Sequence, residues 1–202
     1  MHSLACAAVP LAFALVVVAM PGDAAAAEGR RRIPYQAVDA QGMVVTQLFP
    51  RTHFGGDLAY VIGTETFQAR FGGQVAGGRA FNLGPGKVGN TLAVFSLDAC
   101  GAKKVFRHRV RMCMGGQGGM LAHHWHGYDR PGRKATPYVA GVLKGDYSYF
   151  IRESFALMFG VGVSIPVVGP TFRARNSNGA LSSLVFPGPV TGVVTVGGSF
   201  RL

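Results

Sequence analysis

Acidic side chains are scarce in this sequence: nine Asp and Glu stand against twenty Lys and Arg in 202 residues. Past residue 27 no apolar run reaches the roughly 20 residues that a membrane-spanning helix needs, which excludes a helical membrane protein. Helical periodicity is rare throughout, and that leaves an all-β reading. No Gly-x-Ser-x-Gly elbow occurs, and no His is set beside a Ser by spacing, so the common hydrolase arrangement is missing. The run Gly115-Gly116-Gln117-Gly118-Gly119 falls inside a strand pattern, not between a strand and a helix, and is no phosphate loop. These absences leave a chain expected to be non-enzymatic and without a cofactor.

The first 27 residues read as a signal peptide. Ala7 to Met20 is almost unbroken apolar, Pro21-Gly22 breaks it, and Ala25 and Ala27 offer the small side chains that a signal peptidase needs. Residues 28–41 are expected to be a flexible basic segment led by Arg30, Arg31 and Arg32, and residues 42–202 a single domain. Cys6 leaves with the leader. Cys100 and Cys113 stay behind, and an even pair in an exported chain predicts one disulfide. Behind a signal peptide, the excess of positive charge suits an anionic lipid or lipopolysaccharide surface rather than nucleic acid.

What the mature chain does contain is alternation. From Val105 to Met120 the even positions include Phe106, Val110, Met112, Met114 and Met120, while the odd ones include Arg107, Arg109, Arg111, Cys113 and Gln117. One face is apolar and the other carries three arginines, which is the period of a strand. Similar patterns place eight strands near 42–49, 54–63, 65–81, 91–100, 105–121, 137–151, 153–166 and 190–202. Thr64-Glu65 and Arg152-Glu153 leave room only for tight turns. The segments 122–136 and 167–189 read as long loops rich in Pro, Gly, Asn and Ser. Short and long connections thus tend to alternate, as in outer-membrane barrels with short periplasmic turns and longer external loops.

The fold predicted is therefore an antiparallel up-and-down transmembrane β-barrel of eight strands. Tyr60, Phe67, Phe106, Tyr147, Tyr149, Phe155 and Phe200 fall at the periplasmic ends of its strands, where an aromatic girdle belongs. A soluble lipocalin-like barrel that binds a small hydrophobic ligand alternates too, with its apolar face inward, and is the competing reading. Apolar faces rich in Gly, Ala and Val suit lipid better than a packed core. Placing the arginine face in lipid would cost roughly 2–4 kcal/mol per Arg near the midplane. Arg70, Arg107, Arg109, Arg111 and Lys144 are accordingly assigned to the lumen as a basic cluster, with Asp57, Asp98 and Asp146 nearby.

The chain closes on Thr195-Val196-Gly197-Gly198-Ser199-Phe200-Arg201-Leu202. Thr195, Gly197, Phe200 and Leu202 resemble the terminal signal that the barrel-assembly machinery reads in outer-membrane proteins, with Leu202 where Phe is usual. More broadly, residues 95–202 resemble small, mostly uncharacterised outer-membrane barrels abundant in myxobacteria and related groups. The likeness rests on the Cys before a basic strand, Arg111-Met112-Cys113-Met114-Gly115, Asp129-Arg130-Pro131 and Pro137-Tyr138-Val139-Ala140. It continues through Pro170-Thr171-Phe172-Arg173-Ala174-Arg175 and Phe186-Pro187-Gly188-Pro189-Val190. It implies fold and outer-membrane location and brings no activity with it.

His123, His124 and His126 are the weak metal candidates, for their spacing in a flexible loop fixes no coordination geometry. An eight-stranded barrel is filled by its own side chains, so a wide pore is not expected. The function anticipated is a structural or binding role, exercised through the external loops and a basic lumen. A lipid-modifying outer-membrane enzyme ranks third, behind the soluble barrel.

Overall fold

In the computed structural model of the chain, residues 34–46, 52–83, 86–127, 132–168, 172–175, 181–185 and 190–202 are described. The expected signal peptide and the Arg30–Arg32 segment lie outside them.

Alternation produces strands almost wherever it occurs. In chain order they are β1 (Tyr35–Thr46), β2 (His53–Gly63), β3 (Phe67–Gly78), β4 (Phe81–Leu83), β5 (Gly86–Val105) and β6 (His108–His126). They continue with β7 (Gly132–Arg152), β8 (Phe155–Val168), β9 (Phe172–Arg175), β10 (Leu181–Val185) and β11 (Thr191–Arg201). Eight of them form a closed antiparallel ring: β1 pairs with β2, β2 with β3, β3 with β5, and so on through β6, β7, β8 and β11 back to β1. Closure removes every edge from the ring, which is what a bilayer demands of a sheet. Short β4 pairs with the start of β5, and β9 with β10 makes a separate small hairpin.

Two sequence expectations shift. The first strand begins at Tyr35, not 42, so residues 35–41 belong to the wall and not to a flexible segment. Their pattern carries Asp39 and Gln41 on the inward face, which reads as solvated tail unless the inside of the barrel is the polar side. The segment 122–136 is largely strand as well: β6 runs to His126 and β7 starts at Gly132. The strands β5, β6 and β7 hold 20, 19 and 21 residues. At about 3.3 Å per residue and the usual tilt, they rise to about twice the roughly 25 Å apolar band and project beyond it.

The faces are inverted relative to a soluble protein. Outward positions carry Leu58, Phe71, Phe95, Met112, Leu143, Phe159 and Val196, all exposed, while Asp39, Arg70, Arg109 and Arg111 are buried inside. An exterior of this kind is stable against lipid, not water, so the soluble lipocalin-like reading falls. Short connections (β2–β3, β5–β6, β7–β8) and both ends of the ring share one end, and the longer connections share the other. Tyr60, Phe67, Tyr147, Tyr149, Phe155 and Phe200 lie near the short-turn end. Phe106 leaves its assigned strand for the β5–β6 turn, at φ 55°, the left-handed conformation that a two-residue hairpin turn imposes.

Candidate functional site

The lumen is layered. Its middle layer is an ion network. Arg70 donates through Nη2 to Asp57 Oδ2 at 2.5 Å and through Nη1 to Asp98 Oδ2 at 3.1 Å. Arg111 donates through Nη2 to Asp39 Oδ2 at 2.6 Å and to Asp146 Oδ2 at 2.8 Å. Arg70 Nε lies 3.9 Å from Asp39 Oδ2, and Lys144 Nζ 3.7 Å from Asp98 Oδ2, which joins the two halves into one system. Its members come from β1, β2, β3, β5, β6 and β7, so it ties six of the eight walls together across the interior. Gln41 Nε2 reaches Met158 Sδ of β8 at 3.7 Å.

The charge of the lumen differs from the sequence expectation. Across the lumen, buried Asp39, Asp57, Asp98 and Asp146 equal in number buried Arg70, Arg109, Arg111 and Lys144 among the described residues, although Arg109 stands outside the ion network. Asp39 supplies the fourth carboxylate, from a segment whose sequence alone reads as tail. The lumen is therefore neutral, not basic. Arg107 does not belong to it at all: it sits exposed in the β5–β6 turn, since β5 runs on to Val105 and β6 begins at His108.

Above the ion layer lies an apolar one. Met43, Val45, Ala76, Leu92, Val94, Leu121, Tyr138 and Ala140 form a buried cluster inside the ring. Gln117 donates to Ser164 Oγ at 2.8 Å beside it. A hydrated solute or ion would have to pass this apolar layer as well as the charged one.

Cys100 and Cys113 face each other directly in the β5–β6 ladder and are joined by a disulfide, with Cα atoms 4.0 Å apart. The bond braces two strands already paired, not a free connection from Gly101 to Met112, because those residues are largely in the ladder themselves. Of the terminal motif, Thr195 is buried in the lumen and Phe200 faces outward against Phe155, ring centres 4.9 Å apart. Gly197 lies opposite Gln41 at the β1–β11 seam, and the Leu202 N–H donates to Gln36 O at 3.0 Å.

Strand geometry separates the three histidines. His123 points inward, with Nδ1 donating to Asn90 Oδ1 at 2.6 Å and Nε2 lying 3.3 Å from Thr136 Oγ1. His124 and His126 share the outer face, ring centres 5.9 Å apart. No cluster of three metal-ligating side chains occurs among the described residues.

The outer wall changes character where the apolar belt ends. On β5, β6 and β7 the last large outward residues are Phe95, Met120 and Val139. Further out stand Lys87 on β5, His124 and His126 on β6, and Arg133 on β7. Lys87 is paired with His126, and Arg133 with His124. Arg79 and Lys134 are exposed at the same end. Every charged side chain described there is basic, Asp129 lying outside the described residues. This cluster is not legible as a site in the sequence, for its members are spread between residues 87 and 133 and only strand register gathers them.

No family model matches the chain, and no curated protein matches it in sequence. Solved structures do. A major outer membrane protein from Thermus thermophilus aligns with TM-score 0.61 at 15% identity, over 85% of this chain and 100% of its own. OprG from Pseudomonas aeruginosa aligns with TM-score 0.53 at 6% identity, over 84% and 95%. Ail of Yersinia pestis, solved in complex with the heparin analogue sucrose octasulfate, aligns with TM-score 0.50 at 8% identity, over 84% and 97%. Identities this low establish architecture alone. Joined to the inverted faces and the closed eight-stranded ring, they make the chain a small outer-membrane β-barrel.

Proposed function

We propose that this protein is a closed outer-membrane barrel that binds the phosphate groups of anionic outer-leaflet lipid through its external wall. The observation that carries the reading is the basic cluster of Lys87, His124, His126 and Arg133. It lies in register across three adjacent strands, facing outward four to eight residues past the last large apolar side chain of each strand. Long basic side chains on this projecting part of the wall can reach back toward the lipid headgroups, and cations attract phosphate within a Debye length. The filled lumen argues against transport as the role. A polyanion bound to another barrel of this architecture, sucrose octasulfate on Ail, is in keeping with an anion-binding exterior. The myxobacterial likeness agrees with the architecture and names no ligand. Export by a cleaved leader and recognition of the terminal strand by the assembly machinery belong to the same reading.

The test compares the native barrel with Lys87→Gln/Arg133→Gln in lipid nanodiscs, titrated with bis-phosphorylated lipid A and with its dephosphorylated form. The native protein is expected to prefer the phosphorylated lipid by about tenfold at low salt, and the variant to lose most of that preference. Equal binding of the two lipids by the native barrel would sink the proposal.

A further inference from the structure

The opposite end of the barrel holds a group that neither the ion network nor the outer wall explains. Arg109 is 1% exposed, yet Nε, Nη1 and Nη2 all lack a hydrogen-bond partner. Arg111, two residues along the same inward row, is held by two carboxylates, so the contrast is between neighbours. A buried guanidinium with five unused N–H donors is costly, and burial normally goes with carboxylate or phosphate pairing. Tyr35 Oη and Ser148 Oγ are buried nearby and unpaired too, Ser148 being the ladder partner of Arg109.

What Arg109 does touch is two rings. Its Cζ lies 4.8 Å from the centre of Tyr35 and 5.0 Å from that of Phe150. Each ring serves a second cation: Lys104 Nζ is 4.7 Å from Phe150, and Arg201 Cζ is 5.3 Å from Tyr35. Lys104 and Arg109 thus share the Phe150 ring, and Arg109 and Arg201 share the Tyr35 ring. Such contacts are attractive, but none removes the mutual repulsion of three positive charges. Of the three, only Arg201 has a carboxylate within ion-pair distance among the described residues, Glu65 at 3.0 Å. Lys103, Arg107 and Arg152 add positive charge around this rim, against Glu65 and Glu153. The deepest cation is buried and two long, flexible ones lie toward the opening, which suits capture from the periplasmic side.

We infer that this short-turn, periplasmic mouth is an oxyanion site in which Lys104, Arg109 and Arg201, walled by Tyr35 and Phe150, hold a carboxylate or phosphate group. A planar guanidinium fork suits bidentate contact with either, and the flexible Lys104 and Arg201 can close over it. Such a group has two sources in the periplasm: free phosphate, or a peptide carboxylate presented by the cell wall. The site is independent of the external wall, and either can fail without the other.

The experiment uses the folded barrel in an uncharged maltoside detergent, with ¹⁵N-labelled arginine side chains followed by NMR. Probes are inorganic phosphate and N-acetyl-alanyl-alanine. Saturable movement of the Arg109 Nε–H signal at about millimolar probe is expected, and Lys104→Met or Arg201→Met, both toward the surface, should weaken it about tenfold. Arg109→Met should abolish binding of either probe as read by calorimetry, with heat-dependent gel mobility reporting that the barrel is still closed. Saturation by phosphate alone identifies free phosphate as the ligand; equal or tighter saturation by the peptide identifies a wall carboxylate. If neither probe moves Arg109, or if Lys104→Met and Arg201→Met bind as the native protein does, the inference is overturned and trapped water satisfies the guanidinium.

Discussion

At the scale of single residues, the decisive feature is how carboxylates are shared. Asp39 accepts from Arg111 and lies within 3.9 Å of Arg70 through the same oxygen, so one aspartate links two cations. Buried ion pairs contribute little net stability as pairs, but removing one partner strands the other in a medium that cannot solvate it. Arg111→Met should therefore lower barrel stability by about 3–5 kcal/mol. A shift in the urea midpoint of the folded protein in lipid vesicles checks this, and adding Asp39→Asn should recover part of the loss. A single variant as stable as the native protein would show that water, not Arg111, supports these carboxylates. Arg70, Arg111 and Lys144 are identifiable from alternation alone. Asp39 is not, because an acidic residue near a basic tail looks solvated until the strand containing it is known to face a lumen.

At the scale of elements, the closing seam between β1 and β11 is set by glycine. A Cβ at Gly197 would run into the backbone of β1, at Ala40 O and Gln41 Cα. The same residue type on β7 has a different environment, since a Cβ on Gly141 would meet nothing within 4 Å. Gly197→Val is therefore expected to block assembly, leaving the chain without heat-dependent gel mobility, whereas Gly141→Val should fold as the native protein does. Equal behaviour of the two would mean that the seam tolerates backbone displacement. In sequence, Gly197 stands out by its likeness to a terminal motif. The close approach that makes glycine necessary is evident only with the β1–β11 register. The misplaced start of β1 has the same origin: strand propensity is weak evidence when inward residues are polar.

For the whole molecule, the placement in a bilayer can be measured with the chain's single tryptophan. Trp125 lies on β6 beyond the apolar belt and is half-buried, whereas Phe159 faces outward within the belt. In vesicles made with mid-chain brominated lipid, Trp125 fluorescence should be nearly unquenched. In a Trp125→Phe/Phe159→Trp variant, the reporter should be strongly quenched. Strong quenching of Trp125 itself would move the belt outward, onto the basic cluster. The same experiment checks the assignment of faces, on which both binding proposals depend.

Alternation with a period of two, long strands, tight turns at 64–65 and 152–153, and the terminal motif are enough to specify an eight-stranded antiparallel barrel. Its apolar face goes outward because buried arginine costs less in a lumen with carboxylates than in lipid. These are local properties, carried by residues close together in the chain. Whatever depends on which strand lies beside which waits for the tertiary structure. Strand pairing brings Asp39 to Arg111, neutralising a lumen expected to be basic, and moves Arg107 out of the lumen into a turn. It also separates His123 from His124 and His126 across the wall. Finally, it assembles Lys87 with Arg133 at one end and Lys104, Arg109 and Arg201 at the other. Charge balance and site geometry are sums over neighbours in space, and in a closed ring many of those neighbours are distant in sequence.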